Sequence, residues 1–171
     1  VYVNTTDQHE GWWYSGGGIF RNVWLIKTPM VSVDSFGVFV HPYETPFGWK
    51  IPIDVTVRND DISRRRATVS AEIYRDGGTE PVAVSDSKGV SVSGKDIANV
   101  SLEAFLEKPE LWSCEHPNLY RAVVKVQSSR RDCDTYKVTF GFRTIKFDAD
   151  HGFFLNGEPV KIKGVCCHED Y

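Results

Sequence analysis

Apolar and polar residues alternate in short runs along the middle of the chain, the pattern of strands with one face in a core and the other in water. Ile51, Ile53, Val55 and Val57 point one way, while Asp54, Thr56 and Arg58 point the other. Val69, Ala71 and Ile73 repeat the alternation, and Asp76-Gly77-Gly78 then supplies a turn. Shorter steps follow at Val82 and Val84, at Val90 and Val92, and at Val100 and Leu102. Tyr120, Ala122, Val124 and Val126 form another strand, and Val138, Phe140 and Phe142 one more after the polar stretch 128–134. No window carries a sustained helical stripe, and the nearest, 101–108, is ended by Pro109. Roughly seven short strands with turns every 8–12 residues predict an all-β sandwich.

The two ends differ from this middle. Residues 12–26 set bulky aromatics, Trp12, Trp13 and Tyr14, around the glycines Gly16 to Gly18 ahead of Ile19, Phe20 and Trp24, and read as the closing segment of another domain. Residues 151–163 read as a hairpin, with Phe153 and Leu155 before Asn156-Gly157 and Val160 and Ile162 after it; Asn-Gly is the strongest short hairpin signal. Gly164 to Tyr171 follow as the entrance to a further domain. The expected organisation is therefore 1–27 as the end of one domain, 28–147 as the sandwich, and 148–171 as a hairpin leading into another.

A chain of 171 residues can bury one good core with length left for extensions. The hydrophobic fraction of 41% argues against disorder. A net charge of -3 gives no electrostatic case for nucleic acid or an anionic membrane, so neither is predicted as a partner. No apolar run approaches the roughly 20 residues that span a bilayer. The stretch Val1-Tyr2-Val3-Asn4-Thr5 has neither the charged start nor the apolar core of a signal peptide, and is expected to begin partway into a longer protein. The compartment stays open between cytoplasm and periplasm or exterior. Cys114, Cys133, Cys166 and Cys167 are expected to be free thiols, because the adjacent pair before His168 suits neither a zinc knuckle nor a relaxed disulfide.

Three stretches, taken in order, carry a resemblance. They are Gly18-Ile19-Phe20-Arg21-Asn22-Val23-Trp24-Leu25; Leu111-Trp112-Ser113-Cys114-Glu115-His116-Pro117-Asn118-Leu119-Tyr120; and Gly141-Phe142-Arg143 through Phe154-Leu155-Asn156-Gly157-Glu158-Pro159-Val160 to Lys163-Gly164-Val165-Cys166-Cys167-His168-Glu169. Together they resemble the family-two glycoside hydrolases, the β-galactosidases, β-glucuronidases and β-mannosidases, with the second and third closest to the β-galactosidase branch. Cys166-Cys167 departs from the pattern, standing where many members have an Asn and a basic residue. The resemblance implies an immunoglobulin-like β-sandwich, preceded by the end of a jelly-roll at 1–27 and followed at 148–171 by the hairpin and first strand of a (β/α)8 barrel. It implies a parent enzyme that hydrolyses terminal β-galactosides with retention, using two glutamates about 5–5.5 Å apart on the barrel. Those glutamates would lie downstream of Tyr171, so the segment itself is expected to be accessory and inactive, with no catalytic residue. The implied partners are the carbohydrate substrate and the jelly-roll and barrel domains of the same chain. No cofactor is expected in this segment; metal ions often serve the family's β-galactosidases, but no ligand set is matched here. The reading from another class is a stand-alone immunoglobulin-like binding or adhesion module, since sandwich folds host both.

His168 is the one candidate site residue: the family histidine it matches lies near the barrel mouth and contacts the bound sugar, where active sites of that fold sit. Glu169 and Asp170 are adjacent, and neighbours on a strand face opposite ways, so they cannot both address one sugar. Trp12 and Trp13 could stack on a pyranose but are expected to pack at a domain interface. Gly16 to Gly18 lack the Lys-Ser/Thr of a phosphate loop and are read as a turn. Arg64-Arg65-Arg66 and Arg130-Arg131 fall between strands and are read as solvated turns. Trp112, Pro117 and Tyr120 are read as a structural clamp over the sandwich end.

Overall fold

Val, Ile and Thr dominate the alternating runs, and their branched side chains pack well on a pleated surface. The computed structural model describes Tyr2, residues 18–19 and residues 21–167. In order, the strands are β1 (Val31–Val40), β2 (Tyr43–Thr45), β3 (Gly48–Asn59), β4 (Arg65–Arg75), β5 (Pro81–Val84), β6 (Lys88–Val92), β7 (Asp96–Leu106), β8 (Tyr120–Gln127), β9 (Cys133–Phe140), β10 (Ile145–Asp148), β11 (Gly152–Leu155) and β12 (Glu158–Pro159). The described residues form no helix, and the stretch from Ser101 to Leu106 is the second half of β7. The fold is all-β, as the alternation predicts.

Two antiparallel sheets make the sandwich. In the first, β3 is central, paired with β7 from Trp49↔Leu106 to Asn59↔Asp96 and on its other side with β1 and the short β2. In the second, β4 pairs with β8 and β8 with β9, while β5 and β6 share the other edge of β4. Ile51, Ile53, Val55 and Val57 from β3, Val69, Ala71 and Ile73 from β4, and Ala122, Val124 and Val126 from β8 join one buried cluster. Each such Val or Ile side chain stabilises the fold by about 1.5–3 kcal/mol relative to leaving it in water.

β1 departs from simple alternation. Val33 faces Val57 but Val38 faces Val55, so the strand bulges between them, with Phe36 at φ 56° and 95% exposed. At one end of the sandwich, Asn59 closes β3 onto the neighbouring loops. Its buried amide donates to the carbonyls of Ser63 (2.9 Å), Val92 (3.1 Å) and Ser93 (3.0 Å), and its Oδ1 accepts from Asp61 N–H at 3.0 Å. Gly94 lies so close that a Cβ there would overlap the carbonyl of Ile62. Arg64 therefore leaves from a tightly fixed loop, while Arg65 and Arg66, read from the sequence as part of a turn, open β4, because β6 pairs with them from Val92 and Ser91.

β10, β11 and β12 form a small third sheet. Asn156 and Gly157 both have positive φ, 55° and 82°, the geometry of the two-residue turn that Asn-Gly favours. That turn sets the register Leu155↔Glu158 and Phe154↔Pro159, so the returning strand is earlier than the Val160 and Ile162 pair suggests. Val160 N–H still reaches Phe153 O at 2.9 Å, but Ile162 is 70% exposed. Backbone contacts divide the chain into Thr28–Lys161 and a second unit of Val1–Lys27 with Ile162–Tyr171. The described residues of the second unit are exposed and carry no strand.

Candidate functional site

The stretch Leu111–Tyr120, one of the three family-like stretches, runs from the link after β7 into the first residue of β8 and folds as a clamp. Trp112 bridges Pro117 in antiparallel fashion, and Ser113 N–H donates to His116 O at 2.9 Å. Asn118 donates through Nδ2 to Leu111 O at 3.0 Å. Tyr120 is buried and its Oη accepts the Glu110 N–H at 2.9 Å, which fixes where β7 hands over to the link. Removing that hydroxyl in Tyr120→Phe is expected to lower stability by about 1 kcal/mol, the usual net worth of one such bond. Urea unfolding of the two proteins measures it, and an unchanged midpoint would dismiss the bond.

The clamp is joined to the strands beyond it. Trp112 N–H donates to Phe142 O at 2.7 Å, and a Cβ on Gly141 would stand only 3.0 Å from Trp112 Cβ. The Arg143 guanidinium lies over the indole, 4.9 Å from its centroid. Asn156, beyond making the hairpin turn, donates through Nδ2 to Trp112 O at 3.0 Å, accepts Thr144 N–H on Oδ1 at 3.0 Å and donates its own N–H to Thr144 O at 2.9 Å. One asparagine thus fixes the three-stranded sheet to the clamp. Beside them Val40, Trp112, Leu119, Phe140, Arg143 and Ile145 line a depression of about 580 Å³. Phe147 on β10 is 78% exposed, so this end offers a rigid, partly apolar surface.

Glycosidic acid catalysis needs one carboxyl whose pKa is raised enough to hold a proton near neutrality. Among the described residues, every carboxylate with a clear shift moves the other way. Hydrogen bonds from Ser101 and then His41 lower Asp54, Lys125 and Tyr74 lower Glu72, and His151 and Lys146 lower Asp148. Backbone N–H donors with a basic neighbour lower Asp61 and Asp86. These groups are ionised surface partners rather than proton donors. Because each folded value lies below the unfolded one, their stabilisation is complete above the ordinary carboxylate range near pH 4 and is lost as pH falls through the folded values. The urea midpoint is therefore expected to stay level between about pH 8 and 5 and to fall below about pH 4; a midpoint that rises on acidification would contradict the network.

His168, together with Glu169 and Asp170, lies outside the described residues, as do Trp12, Trp13, Gly16 and Gly17. Gly18 has φ 119°, a backbone angle suited to glycine. Cys114, Cys133 and Cys166 are exposed free thiols, and Cys167 is exposed. Among the described residues no three His, Cys, Asp or Glu side chains gather where a metal ion could be held. Arg64, Arg66, Arg130 and Arg131 are exposed, and Arg65 pairs with Asp61. The sequence pattern gave Trp112, Pro117 and Tyr120 as a clamp; the roles of Asn156 and Arg143 in holding it were missed, because each reads locally as a turn residue and a solvated charge.

The family model for glycosyl hydrolases family 2 matches residues 31–143, and the chain belongs to that family. It is 34% identical over 171 residues to the β-galactosidase BoGH2A of Bacteroides ovatus, which covers 99% of this chain and 20% of that protein. It is 27% identical over 165 residues to a β-glucuronidase of Formosa agariphila, covering 91% of this chain and 17% of that one. The crystal structure of a Bacteroides uniformis β-glucuronidase superposes with a TM-score of 0.77 at 32% identity, over 90% of this chain and 19% of that one. The chain thus spans about a fifth of the length of these relatives.

Proposed function

We propose that this chain is the central sandwich segment of a larger retaining exo-glycosidase, one that removes terminal β-galactosyl residues, with jelly-roll and barrel domains on either side in the same polypeptide. The observation that carries the reading is the 34% identity to a β-galactosidase along 99% of this chain, both flanking stretches included. In this reading the clamp around Trp112, with Asn156 and Arg143, is a frame. It holds the three-stranded sheet at a fixed angle to the sandwich, so that a neighbouring domain meets a preformed surface and little ordering entropy is lost on docking. His168 is proposed to contact the sugar. A β-glucuronidase is the second reading, favoured by the 32% identity to the Bacteroides uniformis enzyme.

A panel of chromogenic β-glycosides tests both with the full-length protein. β-Galactoside turnover with the anomeric configuration retained is expected, while turnover of the glucuronide alone would select the second reading. The 171-residue chain is expected to turn over neither, since it would lack the paired glutamates. No turnover by the full-length protein on any β-glycoside would return the chain to the stand-alone binding module.

A further inference from the structure

Two arginine runs far apart in sequence meet at one end of the sandwich. β4 begins with Arg65, and its partner β8 ends at Gln127 opposite Thr68, so the start of one strand adjoins the turn that leaves the other. That turn, 128–132, carries Arg130 and Arg131 and is held by Ser128 N–H to Asp132 O at 3.0 Å and by Ser129 Oγ to Asp132 Oδ2 at 2.8 Å. The loop before β4, fixed by Asn59 and the tight packing at Gly94, presents Arg64, and Arg65 and Arg66 follow as the first residues of the strand.

Their surroundings leave most of the charge uncompensated. Arg65 is neutralised by Asp61, and Arg58 by Asp34 and Asp60, while Lys95 donates to Asp60 O. Arg64, Arg66, Arg130 and Arg131 are exposed, and among the described residues none has an acidic side chain within ion-pair distance. Asp132 is the nearby exposed carboxylate in the turn itself. Four guanidinium groups therefore face water in a chain whose net charge is -3. Of the four, Arg66 lines a cleft of about 510 Å³, with Ala67, Thr68, Val90, Ser91, Gln127 and Ser128 around it, and Ser128 opens the turn that carries Arg130 and Arg131; a Cβ on Gly89 within the cleft would meet nothing inside 4 Å.

We infer that this end of the sandwich binds an anionic polysaccharide, its carboxylates or sulfates held by Arg64, Arg66, Arg130 and Arg131 and its hydroxyls by Thr68, Ser91, Gln127 and Ser128 of the cleft. A guanidinium presents paired N–H donors in a plane that matches a carboxylate or sulfate, and such charge-assisted bonds are about twice as strong as neutral ones. Hydroxyl and amide side chains beside them are the groups that exchange hydrogen bonds with sugar hydroxyls. The cleft lining contains no aromatic ring on which a nucleic acid base could stack, which favours a glycan over a single-stranded nucleic acid. The choice of a glycan rests on the carbohydrate-directed reading above.

Titration calorimetry on the 171-residue chain tests the inference with oligogalacturonate as the carboxylate probe, a sulfated galactan as the sulfate probe, a neutral galactan, and oligothymidylate. Binding of either anionic glycan, weakening with salt and absent for the neutral one, is expected, and which of the two binds names the anion. Arg64→Ala with Arg66→Ala, and separately Arg130→Ala with Arg131→Ala, should each weaken binding about tenfold. Arg75→Ala, at the far end of β4 and paired with Glu110, should leave it unchanged. Melting temperatures confirm that the variants fold, and should either double variant unfold, the corresponding Arg→Gln pair is used in its place. In the full-length protein the double variants should raise KM on the anionic polymer and leave turnover of a small chromogenic glycoside intact; absence of that turnover in the unaltered protein would count against the enzyme reading alone. No binding of either glycan, unchanged affinity in both double variants, or equal affinity for oligothymidylate would overturn the inference.

Discussion

Phe142→Ala is expected to lower the unfolding free energy by about 3–5 kcal/mol, the range for deleting a buried aromatic ring. Phe142 is fully buried and meets three other rings: Tyr120 at 4.8 Å, Phe140 at 5.3 Å and Trp49 at 5.4 Å between centroids. The planes stand at 89°, 62° and 83°, edge to face, so each contact adds roughly 0.5–1.5 kcal/mol beyond the area it buries. Trp49 belongs to β3 of the first sheet and Tyr120 and Phe140 to β8 and β9 of the second, so the three rings are fixed by different strands and cannot collapse together into the space the lost ring leaves. Since small domains are stable by only about 5–15 kcal/mol, the loss takes a large share of the total. The main chain of the same residue accepts the Trp112 N–H, so a shift of Phe142 should also loosen the clamp. Urea unfolding gives the first quantity and the Trp112 indole resonance in NMR the second; a loss below about 1 kcal/mol would mean that the aromatic cluster repacks around the cavity.

The strands that alternate cleanly were legible because their physical cause is local. From Ile51 to Val57 and from Val69 to Ile73 every second side chain enters the same core, and a period of two is visible without knowing the partner strand. β1 was not legible. Val31, Ser32 and Val33 are buried in succession, and the bulge at Phe36 then shifts the register, so no two-residue period survives. The Asn156-Gly157 turn was readable from its two residues, yet the strand after it was misplaced. Register follows from the turn, which sets Glu158 and Pro159 opposite Leu155 and Phe154, whereas the apolar pair Val160 and Ile162 imitates a strand further on. The site behaves in the same way. Trp112, Pro117 and Tyr120 were found together because they are close in sequence, but the bond from Asn156 to Trp112 spans 44 positions. The meeting of Arg64 to Arg66 with Arg130 and Arg131 likewise depends on the pairing of β4 with β8, a property of topology that neither run reveals alone.

Replacing His168 with Ala in the full-length enzyme proposed above is expected to cost on the order of 2–4 kcal/mol in kcat/KM, the loss seen when one positioned hydrogen-bond donor is removed. The residue is the fourth after Gly164 in a stretch that resembles the family's first barrel strand, and in the proposed enzyme that resemblance would set it at the barrel mouth beside the sugar. An imidazole there gains its effect from being held still. Neighbouring barrel strands would fix its orientation, so that a hydrogen bond to a sugar hydroxyl could strengthen as charge develops at the anomeric carbon, and only such differential binding lowers the barrier. A residue that bound ground state and transition state equally would instead raise KM and leave kcat unchanged. The split between the two constants therefore separates transition-state contact from simple affinity, and a melting temperature taken beside them separates both from a folding defect. His168→Gln, which keeps a donor at a similar reach, should recover part of the loss if the hydrogen bond is what matters. Near-normal kinetics for His168→Ala, or a loss fully matched by a lower melting temperature, would make the histidine structural.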